Sequence, residues 1–257
     1  MSVDAVKLFS LEGRRALVTG ASRGLGRAIA EALASAGADV ACAGQSESNV
    51  AETAGAVRAM GRAAWAFGAD LSDRDSVLAL AAAAEHAAGP IDILVNNAGT
   101  IRRRPAAEHA LEDWDHVLRT NLDSAFILSQ RLGARMIERK AGKIVNVASL
   151  LAFQGGINVP GYTASKHAVA GLTKALANEW ARHNVQVNAI APGYMRTDNT
   201  SALQQDEKRN AEITGRIPAG RWGEPADLAG AAIFLASRAS DYVNGHVLVV
   251  DGGWMAR

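Results

Sequence analysis

Arg15-Ala16-Leu17-Val18-Thr19-Gly20-Ala21-Ser22-Arg23-Gly24-Leu25-Gly26 is the stretch on which the fold turns. It opens on an apolar run of strand length. A glycine-rich turn follows, and Leu25, Ala28, Ile29, Ala32, Leu33 and Ala36 then recur at helical spacing on one face. Strand, glycine turn and helix in this order aim free backbone N–H groups at a phosphate. The glycines allow a tight turn and a close approach to a pyrophosphate. Their spacing is Gly-x3-Gly-x-Gly. Gly20, Ser22, Arg23, Gly24, Leu25 and Gly26 are therefore the expected nucleotide cradle.

The alternation continues outward from there. Strands are expected at 40–43, 63–67, 91–95, 144–148, 185–190 and 246–250, with helical patterns between them. Asp70-Leu71 follows the third strand and precedes an alanine-rich helix at 73–88. Asn96-Asn97-Ala98-Gly99 closes the fourth strand, and a helical segment carrying Trp114, Val117, Leu118, Leu122, Phe126 and Ile127 holds Asn121 within it. Residues 194–221 break the pattern: they are polar, contain Gly215, Pro218 and Gly220, and are long for a connection, as substrate lids often are. A helix is expected at 225–236. The whole reads as α/β, a single-domain Rossmann-type doubly wound parallel sheet of about seven strands with helices on both faces. Residues 1–257 are expected to form one dinucleotide-binding catalytic domain with its lid at 194–221.

Catalytic chemistry is concentrated in Gly161-Tyr162-Thr163-Ala164-Ser165-Lys166 and in Ser149, which follows the fifth strand. Tyr162 and Lys166 are four apart and share a helix face. A free phenol, with a pKa of about 10, is a poor base at neutral pH, and the ammonium of Lys166 is expected to lower it by roughly 1–3 units. A hydroxyl at the carboxyl end of a strand faces the ligand crevice of an open α/β sheet. The three groups together suit proton transfer to or from a carbon-bound oxygen.

Composition excludes other classes. The chain is 49% hydrophobic and 21% charged, an ordinary globular balance, and its formal net charge of +1 argues against nucleic acid or a membrane surface as partner. One cysteine, Cys42, permits no intrachain disulfide. The six histidines form no His-x3-His pair or His/Cys cluster, so no metal is expected. Residues 1–10 lack the features of a signal peptide, and no stretch approaches the ~20 apolar residues of a membrane span, so the expected compartment is the cytoplasm.

Thr19-Gly20-x3-Gly24-x-Gly26, Asn96-Asn97-Ala98-Gly99, Asn121, Ser149, Tyr162-x3-Lys166 and Pro192-Gly193 resemble, in order and spacing, the short-chain dehydrogenase/reductase family over essentially the whole chain. The resemblance implies NAD or NADP as cofactor, with Tyr162 as general acid/base and Ser149 holding the substrate oxygen. It implies that Lys166 binds the nicotinamide ribose and lowers the tyrosine pKa, while Asn121 holds a water of a proton relay. Asp70 and Leu71 would lie near adenine, with Asn97, Ala98, Gly99, Pro192, Gly193 and Thr197 along the rest of the cofactor. It also implies a homotetramer.

A closer likeness runs through Gly99 to Arg103, Phe153-Gln154-Gly155-Gly156, Asn178-Glu179-Trp180, Pro192-Gly193-Tyr194-Met195, 216–223, 240–245 and the tail Asp251-Gly252-Gly253-Trp254-Met255-Ala256-Arg257. These stretches resemble the branch that acts on deoxy sugar acids, 2-dehydro-3-deoxy-D-gluconate or 2-deoxy-D-gluconate. A sugar acid brings a carboxylate, and Arg102, Arg103 and Arg104 follow the fourth strand where a reacting carbon must lie; one or two of them are expected on substrate. Arg216 in the lid and Gln154 after Ser149 complete the expected substrate set. No acid closes the second strand, where Gly44-Gln45 stand, and Arg23 lies in the glycine turn. NADP is therefore expected to be tolerated beside NAD, with Arg23 on its 2′-phosphate. A gluconate 5-dehydrogenase or a 3-oxoacyl carrier-protein reductase is the alternative within the fold. A non-catalytic dinucleotide sensor would have lost the tyrosine or the lysine, and both are present.

Overall fold

Period-two burial on both faces is what makes these strands a central sheet. Along β1 (Arg15–Thr19), Ala16 and Val18 pack to one side and Leu17 to the other. The computed structural model describes residues 4–257; residues 1–3, part of the start read above for a targeting signal, lie outside the described residues. The remaining strands are β2 (Asp39–Gly44), β3 (Ala64–Gly68), β4 (Ile93–Asn96), β5 (Gly142–Val147), β6 (Val185–Pro192) and β7 (Val247–Val250). All pair in parallel, in the order β3-β2-β1-β4-β5-β6-β7. The winding reverses between β1 and β4, which opens a crevice at their carboxyl ends.

A short α1 (Ala5–Leu8) precedes the sheet. One face of the sheet is covered by α2 (Gly24–Ser35), α3 (Glu47–Ala59) and α10 (Ala229–Ala236), through Ile29, Leu33, Val50, Val57 and Leu235. The other is covered by α4 (Arg74–Ala88), α6 (Ser124–Arg139) and α7 (Pro160–Trp180), through Val77, Leu80, Leu128, Leu132 and Leu176. Caps set several helix starts: Asp73 accepts from the Asp75 N–H at 3.0 Å and opens α4, and Pro160 pre-sets the first turn of α7.

Three segments differ from the expected pattern. The helix holding Asn121 is two helices, α5 (Leu111–Leu118) and α6, joined by a π-turn over Arg119–Asp123. The helix expected at 225–236 begins as a 3-10 turn, Pro225–Leu228, closed by a capping box between Glu224 and Asp227. The segment 194–221 carries its own helices, α8 (Ser201–Gln205) and α9 (Glu207–Arg216). Among the described residues no helix is long and apolar enough to cross a membrane, and no group of three or more His, Cys, Asp and Glu side chains could hold a metal ion.

Candidate active site

Backbone geometry builds the cradle first. Gly20 has φ +63° and Gly24 φ +53°, left-handed values that favour glycine. A Cβ on Gly26 would overlap the Gly20 carbonyl oxygen, and one on Gly20 would come within 2.9 Å of Ala98 Cα. The turn therefore closes directly onto the fourth-strand end. Thr19 fixes that contact, its hydroxyl accepting from the N–H groups of Asn97 and Ala98 at 3.1 Å each. Asn97 Nδ2 donates back to the Thr19 carbonyl at 2.9 Å. The amide of Asn97 is thus spent on joining two strand ends, and its backbone is what faces the crevice.

Ser149 follows β5 with extended backbone, and its hydroxyl accepts from the Leu151 N–H at 3.2 Å. Tyr162 and Lys166 lie in the first turns of α7, and the ammonium sits 5.5 Å from the centroid of the phenol ring. Lys166 is 4% exposed and donates to the Val147 carbonyl at 2.7 Å. Burial lowers its pKa to about 8. The phenol of Tyr162 moves the other way from the expected direction. Burial pushes it above its ordinary value, against the hydrogen bond of Ser149 and the positive charge of Arg103. Lys166, itself desolvated, does not pull it below that value.

Asn121 is 3% exposed and fully engaged. Its Oδ1 accepts from the Thr100 N–H at 2.7 Å, and its Nδ2 donates to the Thr100 carbonyl at 3.0 Å and to Ser165 Oγ at 3.1 Å. The side chain thereby anchors the loop that leads to the arginines. A π-turn runs over Arg119–Asp123 at this point.

The substrate candidates separate. Arg102 pairs with Asp113 at 3.2 Å, whereas Arg103 donates to the Asn199 carbonyl at 3.1 Å and has no carboxylate partner among the described residues. The Arg216 guanidinium stacks over the Trp254 ring at 4.0 Å. Gln154 is held from the C-terminal segment, accepting from Trp254 Nε1 at 3.3 Å and donating to Met255 Sδ at 2.9 Å.

On the cofactor side, Asp70 accepts from the Ser72 N–H at 2.8 Å and the Ser72 hydroxyl at 2.7 Å, which hold its carboxyl below the usual range. Leu71 is partly buried beside it. Pro192 ends β6, and Gly193 donates to the Val250 carbonyl at 2.9 Å. Thr197 caps the 3-10 turn Asp198–Thr200, and a Cβ on Gly24 would meet its methyl at 3.5 Å. Arg23, expected on a 2′-phosphate, pairs with Asp198 at 3.2 Å, both side chains being exposed. Asp198 escaped the sequence reading, and Trp222 and Trp254 entered it only within longer stretches, with no role of their own. A lone acid and two tryptophans carry no spacing signal until the segment 194–221 packs against its neighbours.

Similarity to known proteins agrees with this geometry. A family profile described as Enoyl-(Acyl carrier protein) reductase matches residues 20–255. A short-chain type dehydrogenase/reductase from Mycobacterium marinum is 35% identical, with a TM-score of 0.92 over 98% of this chain and 99% of that one. The chain belongs to the short-chain dehydrogenase/reductase family. Within that family, the 2-dehydro-3-deoxy-D-gluconate 5-dehydrogenase of Bacillus subtilis is 56% identical over 249 residues, 97% of each chain. A gluconate 5-dehydrogenase from Burkholderia cenocepacia, solved in complex with NADP and tartrate, is 42% identical. Its TM-score is 0.93, over 98% of this chain and 99% of that one. As a short-chain dehydrogenase/reductase the protein is an oxidoreductase acting on CH–OH groups. Its Gly20–Gly26 cradle fits a dinucleotide: side chains at Gly20 and Gly26 would strike the protein's own backbone, so only glycines let the turn close this tightly at the N-terminus of α2.

Proposed function

We propose that the protein is an NAD(P)-dependent dehydrogenase of a 3-deoxy sugar acid, oxidising reversibly the C5 hydroxyl of 2-dehydro-3-deoxy-D-gluconate. The observation that carries the reading is Arg103. Of the three arginines after Gly99, it is the one whose charge reaches the Tyr162 phenol while no carboxylate among the described residues pairs with it. A substrate carboxylate supplies the missing partner, and the planar fork of arginine suits it. The 56% identity to the B. subtilis enzyme supports the same substrate.

Tyr162 acts as general base in oxidation and general acid in reduction, with Ser149 on the same substrate oxygen. Lys166 holds the cofactor ribose and passes protons toward the Asn121 main chain, whose side chain is otherwise occupied. Gly20, Ser22, Arg23, Gly24, Leu25 and Gly26 hold the pyrophosphate end; Asp70 and Leu71 the adenine; Asn97, Ala98, Gly99, Pro192, Gly193 and Thr197 the remainder. When bound, NAD(P) accepts the hydride in oxidation and donates it in reduction. The segment 194–221 is the lid of a single catalytic domain. The protein works in the cytoplasm, where NAD(P) pools are held, as a homotetramer; Leu111 and Phe126, 76% and 42% exposed on α5 and α6, give a second copy apolar surface to cover.

Turnover of 2-dehydro-3-deoxy-D-gluconate and 2-deoxy-D-gluconate, assayed beside gluconate, neutral sugar alcohols and acyl thioesters, tests the substrate. Equal or better turnover of the uncharged compounds removes the sugar-acid reading. A preference for gluconate favours the second reading, a gluconate 5-dehydrogenase, which the likeness to the B. cenocepacia structure supports. Tyr162→Phe is expected to cut turnover by ~10²–10⁴-fold while cofactor still binds.

A further inference from the structure

Two residues expected on the substrate, Gln154 and Arg216, lie far apart in sequence and on different elements, yet both are held by one side chain. Trp254 is 7% exposed in a 3-10 turn near the end of the chain. Its ring lies 4.6 Å from that of Tyr194, which follows Pro192-Gly193. It packs in a cluster with Leu150, Ile213, Ile217 and Trp222. The Arg216 guanidinium covers its face at 4.0 Å, and Arg257 donates to the Gly215 carbonyl at 2.7 Å beside it. The tail therefore grips the last turn of α9. Its indole N–H meets Gln154 Oε1 at 3.3 Å, while Gln154 Nε2 meets Met255 Sδ at 2.9 Å.

The two contacts on Gln154 agree about its orientation. An indole nitrogen only donates and a thioether sulfur only accepts. Turning the amide over would set N–H against N–H and oxygen against sulfur. The oxygen is thus committed to the tail, and one amide hydrogen stays free to donate. Asp251 sets the tail that does this, its carboxylate accepting from the N–H groups of Gly253 and Met255 at 2.8 Å each.

We propose that Trp254 is a positioning residue for substrate: it fixes the Gln154 amide as a hydrogen-bond donor toward a substrate oxygen and, through Arg216, ties that wall of the site to the lid helix α9. The inference rests on the sugar-acid reading only for the identity of the oxygen bound. Without the tail, the amide of Gln154 presents either end, and half of its orientations set oxygen against oxygen.

Trp254→Phe tests this, because it removes the N–H donor and keeps a ring for Tyr194 and Arg216. With whichever alcohol the wild type oxidises best, KM for that substrate is expected to rise about 3- to 10-fold, the size of one hydrogen bond. The KM for NAD(P) and the melting temperature should stay near those of wild type, and kcat should move less than KM. Gln154→Leu should raise KM similarly, and the double variant should be no worse than Gln154→Leu alone. An unchanged KM in Trp254→Phe overturns the proposal, as does a double variant whose loss is the product of the two single ones. A parallel loss of cofactor affinity and thermal stability also overturns it, since that marks a merely structural tryptophan. Failure of the sugar-acid reading is read separately, from which substrate the wild type prefers.

Discussion

The Tyr162 phenol, the proposed acid/base, is set by neighbours pulling against each other. Desolvation holds the proton on Tyr162, and the Ser149 hydroxyl and the Arg103 charge loosen it. The ammonium four residues on was expected to do the loosening. It is itself buried, with a pKa near 8 and a proton directed at the Val147 carbonyl, so its own charge is costly to maintain. Because the phenol is raised, the proton-accepting form needed for oxidation is scarce at neutral pH. The kcat/KM for oxidation is therefore expected to climb throughout the neutral and mildly alkaline range, while reduction, which uses the protonated phenol, stays flat there. Arg103→Ala removes a charge that lowers the Tyr162 pKa, so the rising limb should move to higher pH and KM for a sugar acid should rise. Arg103→Lys keeps the charge but not the fork. It should restore the pH profile more fully than the KM. A profile unmoved in Arg103→Ala, measured from pH about 6 to about 10, would show that Arg103 does not govern the phenol.

At the scale of elements, the glycine turn was legible because its constraint is local: Gly20 and Gly26, six apart, close one backbone loop, and each glycine has a steric or backbone reason to be there. The π-turn at Arg119–Asp123 was not, since the apolar spacing of α5 and α6 reads through it as one helix. What holds Asn121 in place is Thr100 and Ser165, distant in sequence. Helices α8 and α9 were hidden in the same way. Their anchor is Trp222, 1% exposed, whose Nε1 reaches Asn210 at 2.8 Å and Thr214 at 3.1 Å. The segment 194–221 also touches the glycine turn, through Asp198 and Arg23. With Arg23 proposed on the 2′-phosphate, that pair would compete for the same guanidinium. An exposed ion pair is worth about 0.2–1 kcal/mol, which sets the size of the effect. Asp198→Asn is expected to raise preference for NADP over NAD by roughly 1.5- to 5-fold, and Arg23→Ala to lower it. The kcat/KM ratio for the two cofactors measures both, and a ratio that does not respond to either change would place the 2′-phosphate elsewhere.

Across the whole molecule, the strands and their order of appearance followed from apolar runs, because a sheet buried on both faces leaves little room for polar residues. Tyr162 and Lys166 were singled out by their spacing and Ser149 by its place after the fifth strand, and the fold puts Tyr162 and Lys166 side by side on α7. The Trp254 cluster could not be singled out in this way, being assembled from the fifth-strand end, the segment 194–221 and the C-terminal segment, which meet only in three dimensions. The sheet also carries buried titratable groups whose combined effect is a property of the entire fold. Lys166 lies at its carboxyl end, with a pKa lowered from 10.5 to about 8. Lys143 lies at its amino end, 2.8 Å from Asp241, and is lowered by burial as well. Cys42 in β2 is pushed up from 9.0 to about 12, and Tyr162 is raised from 10.0. A lysine with a lowered native pKa leaves the unfolded chain holding more protons above pH 8, so stability rises with pH there. A thiol with a raised native pKa does the reverse above pH 9, where the unfolded chain ionises first. Each group contributes up to about 1.4 kcal/mol per pH unit while it is half-titrated in this sense. Unfolding free energy is thus expected to climb by about 1–2 kcal/mol between pH 8 and pH 9, level off as Cys42 begins to oppose the lysines, and fall above pH 10.5, where the unfolded lysine has lost its proton too. Urea unfolding from pH about 7 to about 11 reads this curve. Lys166→Met should remove most of the climb, and Cys42→Ala should extend it beyond pH 9. A wild-type stability that declines steadily from neutral pH, or a climb that survives Lys166→Met, would mean that the buried ammonium does not weigh on the fold as its surroundings imply.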